Sequence, residues 1–240
     1  MGSREEYLSK RIVEFCKKLD EKGFVANHDG NISAKHEGAL LATPTAESKA
    51  AITKEMVITL DMSGNKLAGI GKPFSEIKLH LAAYQARPEI RAVIHAHPPY
   101  STARGLVGEG LDVCLPEAVV SIGSFIPVTE FSMPGAKEND SIIAHALSVS
   151  DVFMMPGNGV LAVGNDLEQA YLRMELLEHL IKIDTLAQSM GTVMKLSDQN
   201  KNELMAKHAS LFQKQVSFQP KQDSDELREL IAAEVRKMLS

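Results

Sequence analysis

The sequence predicts a layered α/β fold whose central sheet is mixed or largely antiparallel. Stretches with strand periodicity alternate with stretches of helical periodicity along the chain, which indicates that both element types share one core. The strand-like stretches are joined by hairpin turns more than by the long crossovers that parallel sheets need. The 240 residues, 44% of them hydrophobic, suffice for one substantial core, or one core and an appendage.

Composition excludes several classes of function. The net charge of −5 and the lack of basic runs argue against nucleic acid or an anionic membrane as partner. The sequence contains no run of about 18 apolar residues, so no membrane span is predicted. The charged N-terminus is unlike a signal peptide, and we therefore expect a cytoplasmic protein. Cys16 and Cys114 are too few for a disulfide framework and are interpreted as packing residues in a reducing compartment.

The elements follow from periodicity and from turn residues. A helical stripe over Glu5–Glu21 ends at Gly23, and a polar loop over 27–33 leads into a short strand. The later elements are a strand over 40–45, a hairpin over 56–67, a helix over 75–84 with Ser75 as N-cap, a strand over 91–97, a short helix over 99–105, a strand over 125–128, a helix over 139–149, strands over 152–155 and 160–164, and a long helix from 166 to about 189.

The chemistry centres on the strand that ends in His95-Ala96-His97. Residues two apart on a strand share a face, so His95 and His97 would present both imidazoles together. Two such imidazoles could supply two ligands to one divalent metal ion such as zinc. The alternative is one packed and one solvated histidine.

Other polar residues allow two interpretations each. The loop over 27–33 suits an anion such as phosphate, or is an ordinary Asx/Gly turn. Glu76 falls in a first helical turn, where the helix dipole favours a carboxylate, and His80 follows one turn later as an orienting or packed histidine. Glu178 on the long helix is interpreted as part of a charged outer face.

Five short motifs in order resemble the class II aldolase/adducin superfamily, and most of all its L-fuculose-phosphate aldolase group. The motifs are Gly30-Asn31-Ile32-Ser33, Thr43-Pro44-Thr45, Pro73-Phe74-Ser75-Glu76, His95-Ala96-His97-Pro98-Pro99, and Asn158-Gly159-Val160-Leu161-Ala162-Val163-Gly164. The resemblance covers residues 5 to about 190. It implies a three-layer α/β/α fold around a mixed, mostly antiparallel sheet, and a cyclic homotetramer with active sites at subunit interfaces.

The resemblance also implies an activity and a set of site residues. Aldolases of this group cleave a ketose 1-phosphate, such as L-fuculose or L-rhamnulose 1-phosphate, to dihydroxyacetone phosphate and an aldehyde (lactaldehyde for these two sugars). Their pattern assigns the acid/base role to Glu76 and a divalent metal, zinc first, to His95 and His97. The phosphate would be held by residues of the other motifs: Gly30, Asn31, Thr45 and Ser75.

Three departures from that pattern change the expectations, one of them Phe131, which stands where those aldolases carry a proton-donating tyrosine. Asn158 stands where the family has its third zinc histidine, and an amide oxygen suits harder metals, so manganese, cobalt or magnesium are alternatives. His28 is a further candidate for the missing ligand. Phe74 replaces a phosphate-binding serine, which weakens the case for a phosphorylated substrate.

The C-terminal part is predicted to lie outside the family domain. We divide the chain into a domain over 1–195, a polar linker over 196–222 and an amphipathic helix over 223–240. The helix resembles the encapsulation peptides that carry enzymes into bacterial microcompartments, which would make shell proteins a partner. The alternative is docking on its own subunit or on a neighbour in the tetramer.

Two other functions are also compatible with the sequence. The first is another metal-dependent lyase, epimerase or decarboxylase of the superfamily. The second is an adducin-like structural module without catalysis. The joint presence of Glu76, His95 and His97 argues against the second, because a purely structural module has no physical need for all three.

Overall fold

The computed structural model describes residues 4–133, 136 and 138–217, with no side chains for residues 211–217. Within these residues the helices are α1 (Arg4–Glu21), α2 (Ile77–Ala86), α3 (Pro99–Val107), α4 (Pro116–Ile122), α5 (Asn139–Val149), α6 (Leu167–Met190) and α7 (Asp198–Ser217). The strands are β1 (Asn31–His36), β2 (Ala39–Ala42), β3 (Ile58–Leu60), β4 (Lys66–Ala68), β5 (Ala92–Ala96), β6 (Leu111–Asp112), β7 (Phe125–Ile126), β8 (Val152–Met154) and β9 (Val160–Gly164).

The main sheet has the strand order β4-β3-β2-β1-β5-β9-β8. Its neighbouring strands are all antiparallel across the described residues. The parallel component is an isolated bridge between Val128 and Met154. Strand β5 lies near the middle, between β1 and β9, and all its residues are buried. The histidine motif therefore ends a central strand.

Helices cover both faces of the sheet, and alternate side chains of β5 pack against the helices on opposite faces. Ile94 belongs to the core formed with α1 and α6. Val93 belongs to the core formed with α2 and α5. Since side chains alternate along a strand, His95 falls on the α2 side of the sheet. This arrangement confirms the predicted α/β/α layers and the mostly antiparallel sheet.

Two boundaries differ from the sequence-based expectation. Helix α2 begins at Ile77 with Glu76 as its N-cap residue, so the assignment of Ser75 as N-cap is wrong. The range 196–222, interpreted as a linker, contains helix α7, and His208 Nδ1 lies 2.8 Å from the Val120 carbonyl of α4. The stretch is polar, and the apolar stripe of α7 is too weak to detect in it, so the sequence does not predict this helix. The predicted helix over 223–240 lies outside the described residues.

Glu178 on α6 also differs from the expectation of an exposed face. It is buried, and its carboxylate accepts hydrogen bonds from the backbone N–H groups of Tyr100 and Ser101 and from the Ser101 hydroxyl, at 2.7 to 2.9 Å. A carboxylate at a helix N-terminus satisfies its free N–H groups. Glu178 thus anchors the start of α3, directly after the histidine motif.

Of the described helices, none combines the length and the apolar composition needed to span a membrane.

The two cysteines are expected to differ in reactivity. Cys16 is fully buried, and burial raises the pKa of its thiol to about 12, whereas Cys114 is partly accessible. Because the thiolate is the reactive form, the native protein should react with a thiol reagent such as DTNB at one cysteine only. The Cys114→Ser variant should be unreactive until it is denatured, and rapid labelling of that native variant would contradict the packing of α1.

Candidate active site

The candidate site lies at the end of β5, where three other segments meet it. Asn31, the first residue of β1, is the register partner of His95. Glu76 is brought in by the N-terminus of α2, and Asn158 by the turn between β8 and β9. Segments far apart in sequence thus converge on one strand end.

His95 is held in one tautomer by the β8–β9 turn. Its Nε2 lies 2.9 Å from the backbone carbonyl oxygen of Asn158. A carbonyl only accepts hydrogen bonds, so Nε2 carries the proton. Nδ1 then faces Glu76 Oε2 at 3.1 Å, yet this fully buried nitrogen has no hydrogen-bond partner of acceptable geometry in the described structure. A nitrogen lone pair and a carboxylate oxygen face each other, as two ligands of one cation do.

His97 is held in the opposite tautomer by Asp29. The Asp29 Oδ2 atom lies 3.0 Å from His97 Nδ1, so the ring donates from Nδ1 and leaves Nε2 with a lone pair. The ring centroids of His95 and His97 are 5.0 Å apart. A carboxylate that orients a histidine in this way is a common partner of metal-binding imidazoles.

Two glycines allow the neighbouring loops to approach β5. A Cβ on Gly159 would lie 2.3 Å from the Ala96 carbonyl oxygen and 2.5 Å from His97 Cδ2. A Cβ on Gly30 would lie 2.5 Å from a methyl carbon of Val25 and 3.2 Å from the His95 carbonyl oxygen. Both have positive φ, 65° and 70°, a region that glycine enters without strain. The glycines of two motifs therefore serve close packing against the histidine strand.

The electrostatics of the cluster favour a negative Glu76 beside a positive centre. Burial would raise the pKa of Glu76, but attraction to His95, with the amides of Asn158 and Asn31, lowers it to about 2. Burial opposes a charge on His95, yet Glu76 raises its pKa. Burial, and then repulsion from His95, lower the pKa of His97.

The residues fit a divalent metal as a partial ligand set. No three His, Cys, Asp or Glu side chains in the described residues surround one point as ligands. His95 and His97 nevertheless each keep one bare ring nitrogen, and Glu76 adds a carboxylate. The Asn158 amide also lowers the pKa of Glu76, so it belongs to the same cluster. His28 is exposed. Its backbone carbonyl accepts a hydrogen bond from Lys49 Nζ at 3.5 Å.

The predicted phosphate-binding residues separate into two groups. The Asn31 side chain is 4% exposed and lies between Glu76 Oε2, at 3.2 Å, and His80 Nε2, at 2.7 Å. An isolated bridge pairs Pro44, which precedes Thr45, with Pro73, two residues before Ser75. Neither hydroxyl hydrogen-bonds to the histidine cluster among the described residues. Phe74 is buried, with its ring 4.9 Å from that of His80.

Two residues gain importance that sequence reasoning did not give them. The sequence indicates only that Asp29 belongs to the polar loop over 27–33, since nothing local links it to His97. His80, interpreted as an orienting or packed histidine, is fully buried, with both ring nitrogens in polar contacts. Its spacing from Glu76 on one helix face was the available signal.

Comparison with known proteins agrees with this geometry. Residues 10–185 match the family described as Class II Aldolase and Adducin N-terminal domain. The chain belongs to this family. The class II aldolases of this family generally depend on a divalent metal and are lyases, so the predicted superfamily and enzyme class are confirmed.

Individual relatives of this class II aldolase give the range of related activities. An L-fuculose phosphate aldolase of Methanococcus maripaludis is 28% identical over 75% of this chain and 97% of its own. A 5-methylthioribulose-1-phosphate/5-deoxyribulose-1-phosphate aldolase of Escherichia coli is 31% identical over 68% of this chain and 76% of its own. A solved L-fuculose 1-phosphate aldolase superposes with a TM-score of 0.78 at 27% identity, covering 88% of this chain and 98% of its own.

Proposed function

We propose that the protein is a divalent-metal-dependent aldolase that cleaves a ketose 1-phosphate to dihydroxyacetone phosphate and an aldehyde. The observation that carries the proposal is the contact between Glu76 Oε2 and the bare Nδ1 of His95, 3.1 Å apart. A base beside a cation site is what cleavage next to a carbonyl requires. The relatives' names add the substrate class, a ketose 1-phosphate with a deoxygenated end.

Glu76 moves the proton in this proposal. In the direction of condensation, its carboxylate takes a proton from the hydroxymethyl carbon of dihydroxyacetone phosphate. In the direction of cleavage, the C4 hydroxyl loses its proton to solvent and becomes the aldehyde carbonyl as the C3–C4 bond breaks, and Glu76 takes up a proton from solvent and delivers it to C3. Its low pKa keeps the carboxylate ionised at neutral pH, and the amide of Asn31 orients it.

His95 and His97 would hold the metal, zinc first, through Nδ1 and Nε2 respectively, with Glu76 and Asn158 as further ligands. When bound, a divalent metal supplies a Lewis acid for the negative charge that develops on the substrate oxygens. The backbone carbonyl of Asn158 holds the His95 ring, and the Asp29 carboxylate holds the His97 ring, in the required tautomers.

We propose that the phosphate binds at Thr45 and Ser75 and at the backbone N–H of Gly30. The Asn31 side chain already hydrogen-bonds to Glu76 and His80. We therefore propose that Asn31 orients Glu76 rather than contacting the phosphate. We propose L-fuculose and L-rhamnulose 1-phosphate as substrates, giving lactaldehyde, and retain 5-deoxyribulose 1-phosphate for testing.

A coupled assay tests the proposal. Purified protein is stripped with a chelator, reloaded with Zn²⁺, Mn²⁺, Co²⁺ or Mg²⁺, and offered these three sugar phosphates, with dihydroxyacetone phosphate detected through NADH consumption. Metal-dependent release is expected. Sugar conversion without this product would favour an epimerase or decarboxylase. No bound metal and no thermal shift with any ion would favour the adducin-like module.

Asn158→His is expected to tighten zinc binding by about tenfold or more, because imidazole is a better zinc ligand than an amide oxygen. Asn158→Ala serves as the matched control, since it shortens the side chain at the same position. Competition with a chromogenic chelator measures both affinities. Equal affinity in all three proteins would exclude position 158 from the metal sphere.

We also propose a homotetramer and a cytoplasmic location, on the resemblance of the chain to the aldolase group. Association with a microcompartment shell through residues 223–240 is a separate proposal that rests on sequence alone. Light scattering gives the oligomeric state. Fusion of residues 220–240 to a fluorescent protein tests the second proposal, and diffuse fluorescence without shell association would reject it.

A further inference from the structure

A chain of buried polar side chains connects helix α2 to Glu76 through strand β1. Its members are Tyr84 and His80 on α2 and Ser33 and Asn31 on β1, and each is less than a tenth exposed. Tyr84 Oη lies 2.9 Å from Ser33 Oγ, and Ser33 Oγ lies 2.7 Å from His80 Nδ1. His80 Nε2 lies 2.7 Å from Asn31 Oδ1, and Asn31 Nδ2 donates to Glu76 Oε2 at 3.2 Å.

The chemistry of these groups fixes the direction of every bond after the tyrosine. A carboxylate only accepts, so the NH2 group of Asn31 must face Glu76 and its carbonyl oxygen must face His80. His80 Nε2 must therefore carry the proton, and the bare Nδ1 accepts from the Ser33 hydroxyl. A ring that only filled space would not need both nitrogens placed in this order.

We propose that His80 is a positioning residue for Glu76. Its Nε2–H group holds the Asn31 amide in the one orientation that donates to the carboxylate. A flipped amide would turn its oxygen toward the carboxylate and push Glu76 away from His95. The part of this inference that concerns rate rests on the proposed aldolase function, whereas the tautomer of His80 does not.

The buried setting makes His80 decisive for this orientation. No water is needed to complete the chain, because each polar atom along it has a protein partner within 3.2 Å. The Phe74 ring packs against His80 at 4.9 Å between centroids. Buried polar chains of this kind have few alternative arrangements, because a flipped member leaves a polar atom without a partner.

The first experiment reads the tautomer of His80 directly. Long-range ¹H–¹⁵N correlation spectra of the full-length zinc-loaded protein at pH 7 should show a neutral ring protonated at Nε2. The His80→Gln variant identifies the signal by its loss. A ring protonated at Nδ1, or at both nitrogens, would overturn the proposal whether or not the protein is an aldolase.

The second experiment is a double-mutant cycle in the aldolase assay. His80→Phe keeps the ring volume and should lower kcat by about tenfold to a hundredfold with KM little changed, the usual effect of losing an orienting partner. Asn31→Leu should lower kcat similarly, and the double variant should be no slower than Asn31→Leu alone. His80→Gln, which keeps a donor, should recover part of the rate.

His36→Phe is the matched control, because His36 lies on β1 but takes no part in this chain of hydrogen bonds. The kcat of this variant should equal that of the wild type. Additive losses in the cycle, or an effect on KM alone, would overturn the proposal. If His80→Phe does not fold, His80→Leu takes its place in the cycle. Failure of the wild type to cleave any sugar phosphate would count against the proposed function, and the tautomer would then decide the role of His80.

Discussion

Replacing Glu76 by glutamine is expected to lower kcat by about 10²- to 10⁴-fold, the range that general acid–base catalysis contributes. The amide has nearly the shape of the carboxylate but cannot take a proton at neutral pH. It also removes the negative charge that faces His95 Nδ1 at 3.1 Å. Steady-state release of dihydroxyacetone phosphate measures the effect, and bound metal is quantified in the same samples.

Glu117→Gln is the matched control for this variant, because Glu117 lies in the first turn of α4 and is exposed. Its rate should equal that of the wild type. A Glu76→Gln enzyme within tenfold of the wild-type kcat would remove Glu76 from the acid/base role. A slow enzyme with full metal content would place the loss in proton transfer, and a metal-free one would make Glu76 chiefly a ligand.

Replacing His97 by alanine is expected to abolish stoichiometric metal binding and to lower kcat/KM by more than about a hundredfold. Loss of an orienting partner alone costs about 10- to 100-fold, and a direct ligand contributes more. His97 is better suited to this test than His95, because its side chain is 26% exposed and its removal leaves a solvated Asp29. Elemental analysis and the coupled assay measure the two effects.

His145→Ala controls for the loss of an imidazole elsewhere, on the exposed face of α5. It should keep both metal and activity. Full metal content in the His97→Ala protein would contradict the two-histidine site, and the bare Nε2 of His97 would then need another explanation.

The sequence predicted the parts of the site that depend on local pattern. Alternation along β5 put His95 and His97 near one another, and helical spacing put His80 on the Glu76 side of α2. What it could not predict was pairing across distant segments. Asp29 meets His97 only because Gly30 and Gly159 let two loops close on the same strand end. Helix α7 was missed because a polar helix that packs by part of one face leaves a weak pattern.

The polar chain between α2 and β1 has a consequence for how the protein opens. Apolar contacts have no fixed direction, so a helix held by them alone can shift against a sheet without breaking a specific pairing. Helix α2 cannot leave β1 without exposing or orphaning Ser33, His80 and Tyr84 together. Native-state hydrogen exchange of the α2 amides should therefore follow global unfolding. The base would then stay in place during turnover, and any motion that admits substrate would come from the loops.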